Sequence, residues 1–202
     1  MKKIFEAHII TLGDSKVGKT SLIIRYMDNS FVETYLSTLG IDSRQKNIKL
    51  SNDEEIRVKI TDSAGEERFR ALSANYIKKA NGILLIYDIT NRESFNNINN
   101  WATEIRDKSK NIDERPIILI GNKLDLEEKR CINKKEGEEL AQNMSSGIKF
   151  YETSCKTGDN IEKAINDLAE QIYNKFCGNI NENNNIVINK NRKEKEKGKC
   201  CK

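Results

Sequence analysis

The chain has 202 residues, with 35 Lys and Arg against 31 Asp and Glu, a net charge of +4 and 37% hydrophobic residues, which suits one domain with an appendage. From Cys177 onward it carries seven Lys/Arg and three Asp/Glu, the whole of the net charge, so residues 1–176 sum to zero. A neutral body argues against a nucleic-acid-binding domain, and no apolar run approaches the roughly 18 residues that a transmembrane helix needs.

The opening MKKIFEAHIITLG has basic residues but too short an apolar region for a signal peptide. Residues 7–12 then form a short apolar strand, and residues 18–29 have helical spacing. Residues 45–50 and 55–61 pair as a hairpin around Asn52 and Asp53. The continuous apolar runs GILLIYD (82–88) and PIILIGN (116–122) are what strands buried on both faces look like. Helical patterns cover 92–108, 134–143 and 160–176. Trp101 is expected as a core anchor, and the acidic cluster at Glu136, Glu138 and Glu139 as a solvated helix face. Strand–helix alternation implies an α/β fold, an open and mostly parallel sheet covered on both sides. Ligands then bind beyond the carboxyl ends of the strands. There is no internal repeat. Five cysteines without a spacing pattern suit a reducing compartment. The single histidine, His8, leaves no His-based triad or multi-histidine metal site and is read as structural.

Residues 13–20, GDSKVGKT, match G-x-x-x-x-G-K-[ST] in full, after a strand and at the start of a helix. Gly13 and Gly18 let the backbone curl so that the N–H groups of Ser15, Lys16, Val17, Gly18 and the residues up to Ser21 face a polyphosphate, and the helix N-terminus adds positive potential. Lys19 is placed to bridge β- and γ-phosphates, and the Thr20 hydroxyl to ligate Mg²⁺. The Lys16 side chain either sits at the phosphate rim or points to solvent.

Residues 122–125 read NKLD and residues 154–156 read SCK, after the run 149–153. A buried carboxylate such as Asp125 can accept two hydrogen bonds from guanine N1–H and the 2-amino group. Adenine would leave it unpaired, a mode of rejection worth about 10⁴-fold in good cases. NKLD alone is a weak signal; with the phosphate loop upstream it favours guanine.

GDSKVGKT, Thr38, DSAGEERF, NKLD and ETSCK, in this order, resemble the Ras superfamily of small GTPases. GILLIYDITNRESF, NINNWATEI and ETSCKTGDNIE are most similar to its Rab branch. The match covers about residues 5–176. The resemblance implies a P-loop G-domain over residues 1–176, built on a mostly parallel six-stranded sheet, and a basic, disordered tail over 177–202. It implies GTP and GDP as ligands with Mg²⁺, held by Thr20, Thr38 and Asp62. Gly65 N–H would meet the γ-phosphate, Asn122 and Lys123 would brace base and ribose, Asp125 would select guanine, and the Ser154, Cys155 and Lys156 loop would close the base site, with Cys155 N–H on guanine O6. It further implies an exchange factor, an activating protein, a GDP dissociation inhibitor or escort protein, effectors, and a monomeric chain that controls vesicle traffic.

Three departures stand out. The family carries Gln where this chain has Glu66. An ionised carboxylate cannot donate, and two unit charges at roughly 4 Å in an effective dielectric near 20 repel by about 4 kcal/mol. Slow hydrolysis is therefore expected; the alternatives are a general-base role for Glu66, or a GTP-binding scaffold with negligible turnover. Ser43 and Thr61 stand where the Rab pattern has Phe and Trp, while Tyr76 keeps its place. The C-terminal GKCCK places Cys200 and Cys201 as the pair that Rab-type tails prenylate. Two lipids give a stable anchor where one is marginal, and the adjacent basic run suits an anionic leaflet; a merely solubilising tail has the same composition. An adenylate-type kinase would share the phosphate loop but not NKLD.

Overall fold

The computed structural model describes residues 4–31, 42–62, 70–108 and 115–178. Six strands form one sheet in the order β2-β3-β1-β4-β5-β6. β1 (Phe5–Leu12), β4 (Gly82–Asp88), β5 (Ile117–Asn122) and β6 (Lys149–Thr153) run parallel, with β3 (Glu55–Asp62) parallel to β1 on its other side. Only β2 (Asp42–Lys49) is antiparallel, paired to β3 as the expected hairpin. The expected α/β architecture is thus found, with β2 starting three residues earlier than its apolar pattern suggested.

The central strands are hydrophobic because both faces are covered. Every residue of β4 and of β5 is buried. Beneath one face α1 (Lys19–Asp28) and α6 (Ile161–Tyr173) contribute Leu22, Ile23, Ala164, Ile165 and Leu168. Over the other, α2 (Arg70–Lys79), α4 (Ile98–Lys108) and α5 (Lys134–Met144) contribute Ile77, Trp101, Ile105 and Ala141. Trp101 is 3% exposed, as a core anchor should be.

Three features depart from the sequence pattern. Helix α2 had no strong apolar periodicity to announce it. The helix expected over 92–108 is two, α3 (Arg92–Asn96) and α4, separated by Asn97. Glu136 is not merely solvated: it closes a capping box with Asn133 at the start of α5 and accepts from the Arg92 guanidinium at 2.5 Å, so an N-terminal cap and an inter-helix tie share one carboxylate. Glu138 and Glu139 are exposed, paired with Lys134 and Lys135 as expected of a solvated face. His8 lies on β1, its ring bonded to Glu6 and its backbone N–H to Asn81 Oδ1.

Candidate functional site

The carboxyl ends of β1, β3, β4, β5 and β6 converge on one edge of the sheet, and every motif within the described residues leaves from there. β1 ends at Leu12 and the chain turns at Gly13, whose φ is +141°. A Cβ at Gly13 would stand 2.1 Å from Ile86 O, and one at Gly18 (φ +99°) 2.3 Å from Asn122 Nδ2. Both glycines are therefore dictated by close approach of other strands as well as by backbone conformation. Lys16 also adopts positive φ, +65°, and is exposed. The side chain lies at the surface of the loop, a position compatible with the phosphate rim and with solvent. Val17 turns inward and is 1% exposed. Ser15 and Ser21 are half-buried on either flank of the turn.

Lys19 opens α1 and is 5% exposed. Its ammonium donates to Gly13 O at 3.0 Å and Asp14 O at 2.6 Å, arching back over the loop. Burial pulls its pKa down to about 8, against the opposing pull of Asp62 and Asp14. Beside it, Thr20 Oγ1 donates to Asp62 Oδ2 at 2.6 Å, and Thr11 Oγ1 to Asp62 Oδ1 at 3.3 Å. Asp62 is 3% exposed, and burial raises its pKa despite these hydroxyls and Lys19. A buried carboxylate and a hydroxyl side by side are hard oxygen donors, the set that suits Mg²⁺ completed by phosphate and water. A buried ammonium over a cradle of glycines likewise suits a polyphosphate.

The second half of the site is a hydrogen-bonded lattice. Asn122 ends β5, 1% exposed, and donates from Nδ2 to Val17 O at 2.8 Å. Its Oδ1 accepts from Thr153 Oγ1 at 3.1 Å and from the Cys155 thiol at 3.4 Å. Ser154 Oγ donates to Asp125 Oδ1 at 2.6 Å while accepting the backbone N–H groups of Lys156 and Thr157. Arg25 of α1 clips the same loop, donating to the carbonyls of Cys155 and Lys156, each at 2.7 Å. Burial pushes the Cys155 thiol up to about 11, so it packs as an inert side chain. Lys123 has φ +73°, and its ammonium meets Asp88 Oδ2 at 2.6 Å.

One expectation needs correction. Asp125 is exposed, not buried. It stands in the first turn of the 3-10 helix Leu124–Lys129, where the chain has already left the sheet, and Ser154 anchors one of its oxygens from below. Thr38, Gly65, Glu66, Cys200 and Cys201 lie outside the described residues. The structure brings together Lys19, Thr20 and Asp62 on one side and Asn122, Asp125, Ser154 and Cys155 on the other, joined by the Asn122–Val17 bond. It adds Thr11 and Arg25, which no motif marks, and Asp14, Asp88 and Thr153, which lie within quoted motifs but carried no assigned role.

A glycine-lined loop that carries a buried ammonium, next to a hydroxyl–carboxylate pair and an Asn/Asp/Ser base lattice, defines a nucleotide-binding P-loop protein. Residues 8–174 match the Ras family model. The chain is 40% identical over 193 residues to the human Ras-related protein Rab-8B, covering 93% of this chain and 91% of that one. It is 41% identical over 177 residues to bovine Ras-related protein Rab-13 (88% and 85% covered) and 40% identical over 193 residues to Ras-related protein Rab-10 of Diplobatis ommata (96% and 94%). The chain belongs to the Ras family, as a Rab-type small GTPase.

Proposed function

We propose that the chain is a switch that binds GTP and GDP with Mg²⁺, hydrolyses GTP slowly to GDP and phosphate, and controls a vesicle-trafficking step from the cytosolic face of a membrane. The observation that carries the reading is the convergence of Lys19 and the Thr20–Asp62 pair with the Asn122–Asp125–Ser154 lattice at the carboxyl ends of five strands. Mg²⁺, when bound, would supply positive charge that offsets the phosphates. Lys19, released from its carbonyls, would donate to the β- and γ-phosphates. Thr20 and Asp62, with Thr38, would hold the ion. Asp125, kept in orientation by Ser154, would accept from guanine, and the base would cover its exposed face. Segments carrying Thr38 and Gly65 would be pinned in the GTP state and released after cleavage.

Glu66 would orient the attacking water by accepting from it, yet it cannot donate toward the growing negative charge. Glu66→Gln should speed single-turnover GTP cleavage, measured as phosphate release; an unchanged rate would refute this role for position 66. Glu66 also favours a second reading, a persistently loaded scaffold with negligible turnover. An activating protein supplying Arg and Gln in trans would separate the two: accelerated phosphate release supports the switch, and none supports the scaffold.

Partners follow from the same reading: an exchange factor, an activating protein, a dissociation inhibitor or escort protein, and effectors. Ser43 pairs across the hairpin with Thr61, and Tyr76 is 40% exposed. An effector would therefore meet one aromatic ring and two small hydroxyls, a surface suited to partners that hydrogen-bond there. Among the described residues no helix is long and apolar enough to cross a membrane; attachment would rest on prenylated Cys200 and Cys201 beside the basic tail. Changing both to Ser should move a tagged chain from membranes to cytosol.

A further inference from the structure

Asp14 lies inside the phosphate loop, next to the ammonium of Lys19, yet its carboxylate bonds elsewhere. Asn97 Nδ2 donates to Asp14 Oδ2 at 2.8 Å, and Trp101 Nε1 donates to Asp14 Oδ1 at 2.8 Å. The backbone carbonyl of the same residue accepts from Lys19 Nζ at 2.6 Å. One residue thus holds the phosphate-binding ammonium with its main chain and the junction of α3 and α4 with its side chain.

The geometry of the two donors is local. Asn97 separates α3 from α4, and Trp101 N–H bonds to Asn97 O at 3.0 Å, one helical turn apart. Residues four apart share a helix face, so both donors reach the same carboxylate. An indole nitrogen only donates, and a carboxylate has one oxygen for each donor. At the α3–α4 junction Asn97 keeps helical dihedrals (φ −71°, ψ −11°) and gains this partner there. By charge alone a carboxylate beside a polyphosphate is unfavourable; two fixed N–H donors hold it turned toward α4.

We propose that Asp14 is a positioning residue: clamped by Asn97 and Trp101, it pins the phosphate loop to the α3–α4 junction and keeps its own carbonyl, and through it Lys19, aligned for the phosphates. The proposal rests on guanine-nucleotide binding at this loop. The α3–α4 junction then becomes a place from which nucleotide release is set at a distance, since moving α4 moves the loop.

The test uses the full chain with Mg²⁺ and follows release of N-methylanthraniloyl-GDP. Trp101→Phe keeps an aromatic ring in the core and removes the N–H. Asn97→Ala removes the other donor at a half-buried position. Each should speed release about tenfold, the scale of one hydrogen bond to a charged group. Neither should multiply the effect of Asp14→Asn, because all three act on one network. A merely structural role would lower the melting temperature of the nucleotide-free chain and leave release unchanged. Wild-type release in both single variants, or effects that multiply with Asp14→Asn, would overturn the proposal. If Trp101→Phe does not fold, Asn97→Ala alone decides. A wild-type chain that binds no labelled GDP would instead sink the functional reading, and the inference with it.

Discussion

Around the phosphate loop two of the buried polar groups are ions. Lys19 and Asp62 are both at or below 5% exposure, the pKa of one pulled down and of the other pushed up by burial. Around the base pocket neutral groups predominate: Asn122, Thr153 and Ser154 are at or below 1% exposure; Thr153 donates to Asn122, Asn122 to Val17 O and Ser154 to Asp125, and the buried Asp88 carboxylate is paired with Lys123. The first half carries a desolvation cost that a ligand of the right charge relieves. In the second the buried groups are bonded within the protein, and only the exposed face of Asp125 is left to a ligand. A half that offers charge to a ligand and a half whose buried groups are already paired divide the work of affinity and selectivity.

This contrast can be broken most severely at Lys19. Lys19→Met should weaken nucleotide binding by about a hundredfold or more, since charge-assisted bonds to phosphate are lost; titration with a fluorescent nucleotide measures it. The neutral half should respond differently. Asn122→Ala strands Val17 O, the Thr153 hydroxyl and the Cys155 thiol, so it should cost about 1–3 kcal/mol of stability even without nucleotide, seen as a melting temperature lower by roughly 2–10 °C.

A gentler probe is pH. In the folded, nucleotide-free chain Lys19 sits at about 8 against 10.5 for an ordinary lysine. Between those values the unfolded chain binds the proton that the folded chain has released. This group therefore adds stability as pH rises from about 8 toward 10.5, by up to about 1 kcal/mol at pH 9. Lys19→Met should remove that slope. Nucleotide affinity should fall over the same window, because the free protein loses the cation.

The smallest effect is expected at a buried hydroxyl beside the base half, on β4 next to Gly121. Tyr87 is fully buried, its pKa raised by that burial, and its hydroxyl has no hydrogen-bond partner among the described residues. It lies against Gly121 and Gly137, where an added Cβ would come within 2.8 and 2.6 Å of it. Tyr87→Phe should be neutral or stabilising by up to about 1 kcal/mol; a clear loss of melting temperature would reveal a partner for that hydroxyl.

The phosphate loop, NKLD and the buried strands were legible because each is local. Glycine positions, an ammonium at a helix start and continuous apolar runs are properties of neighbouring residues. Helix α2 was not legible, as RALSANYIKK spaces its apolar residues too sparsely to mark a face. The break at Asn97 was not legible in the run NINN, and the partner of its side chain lies 83 residues away at Asp14. Asp125 was expected buried because its chemistry asks for it, but the chain at that point has left the sheet for a surface turn.

By itself the sequence determined the strand–helix alternation, the family, and which residue types line the site, because periodicity and motif spacing act over a few residues at a time. Only the tertiary structure decided that Val17 meets Asn122, that Ser154 holds Asp125, and that Trp101 serves the phosphate loop as well as the core. Those contacts join residues from 29 to 105 positions apart. They follow from strand order, which brings distant carboxyl ends together on one edge of a sheet.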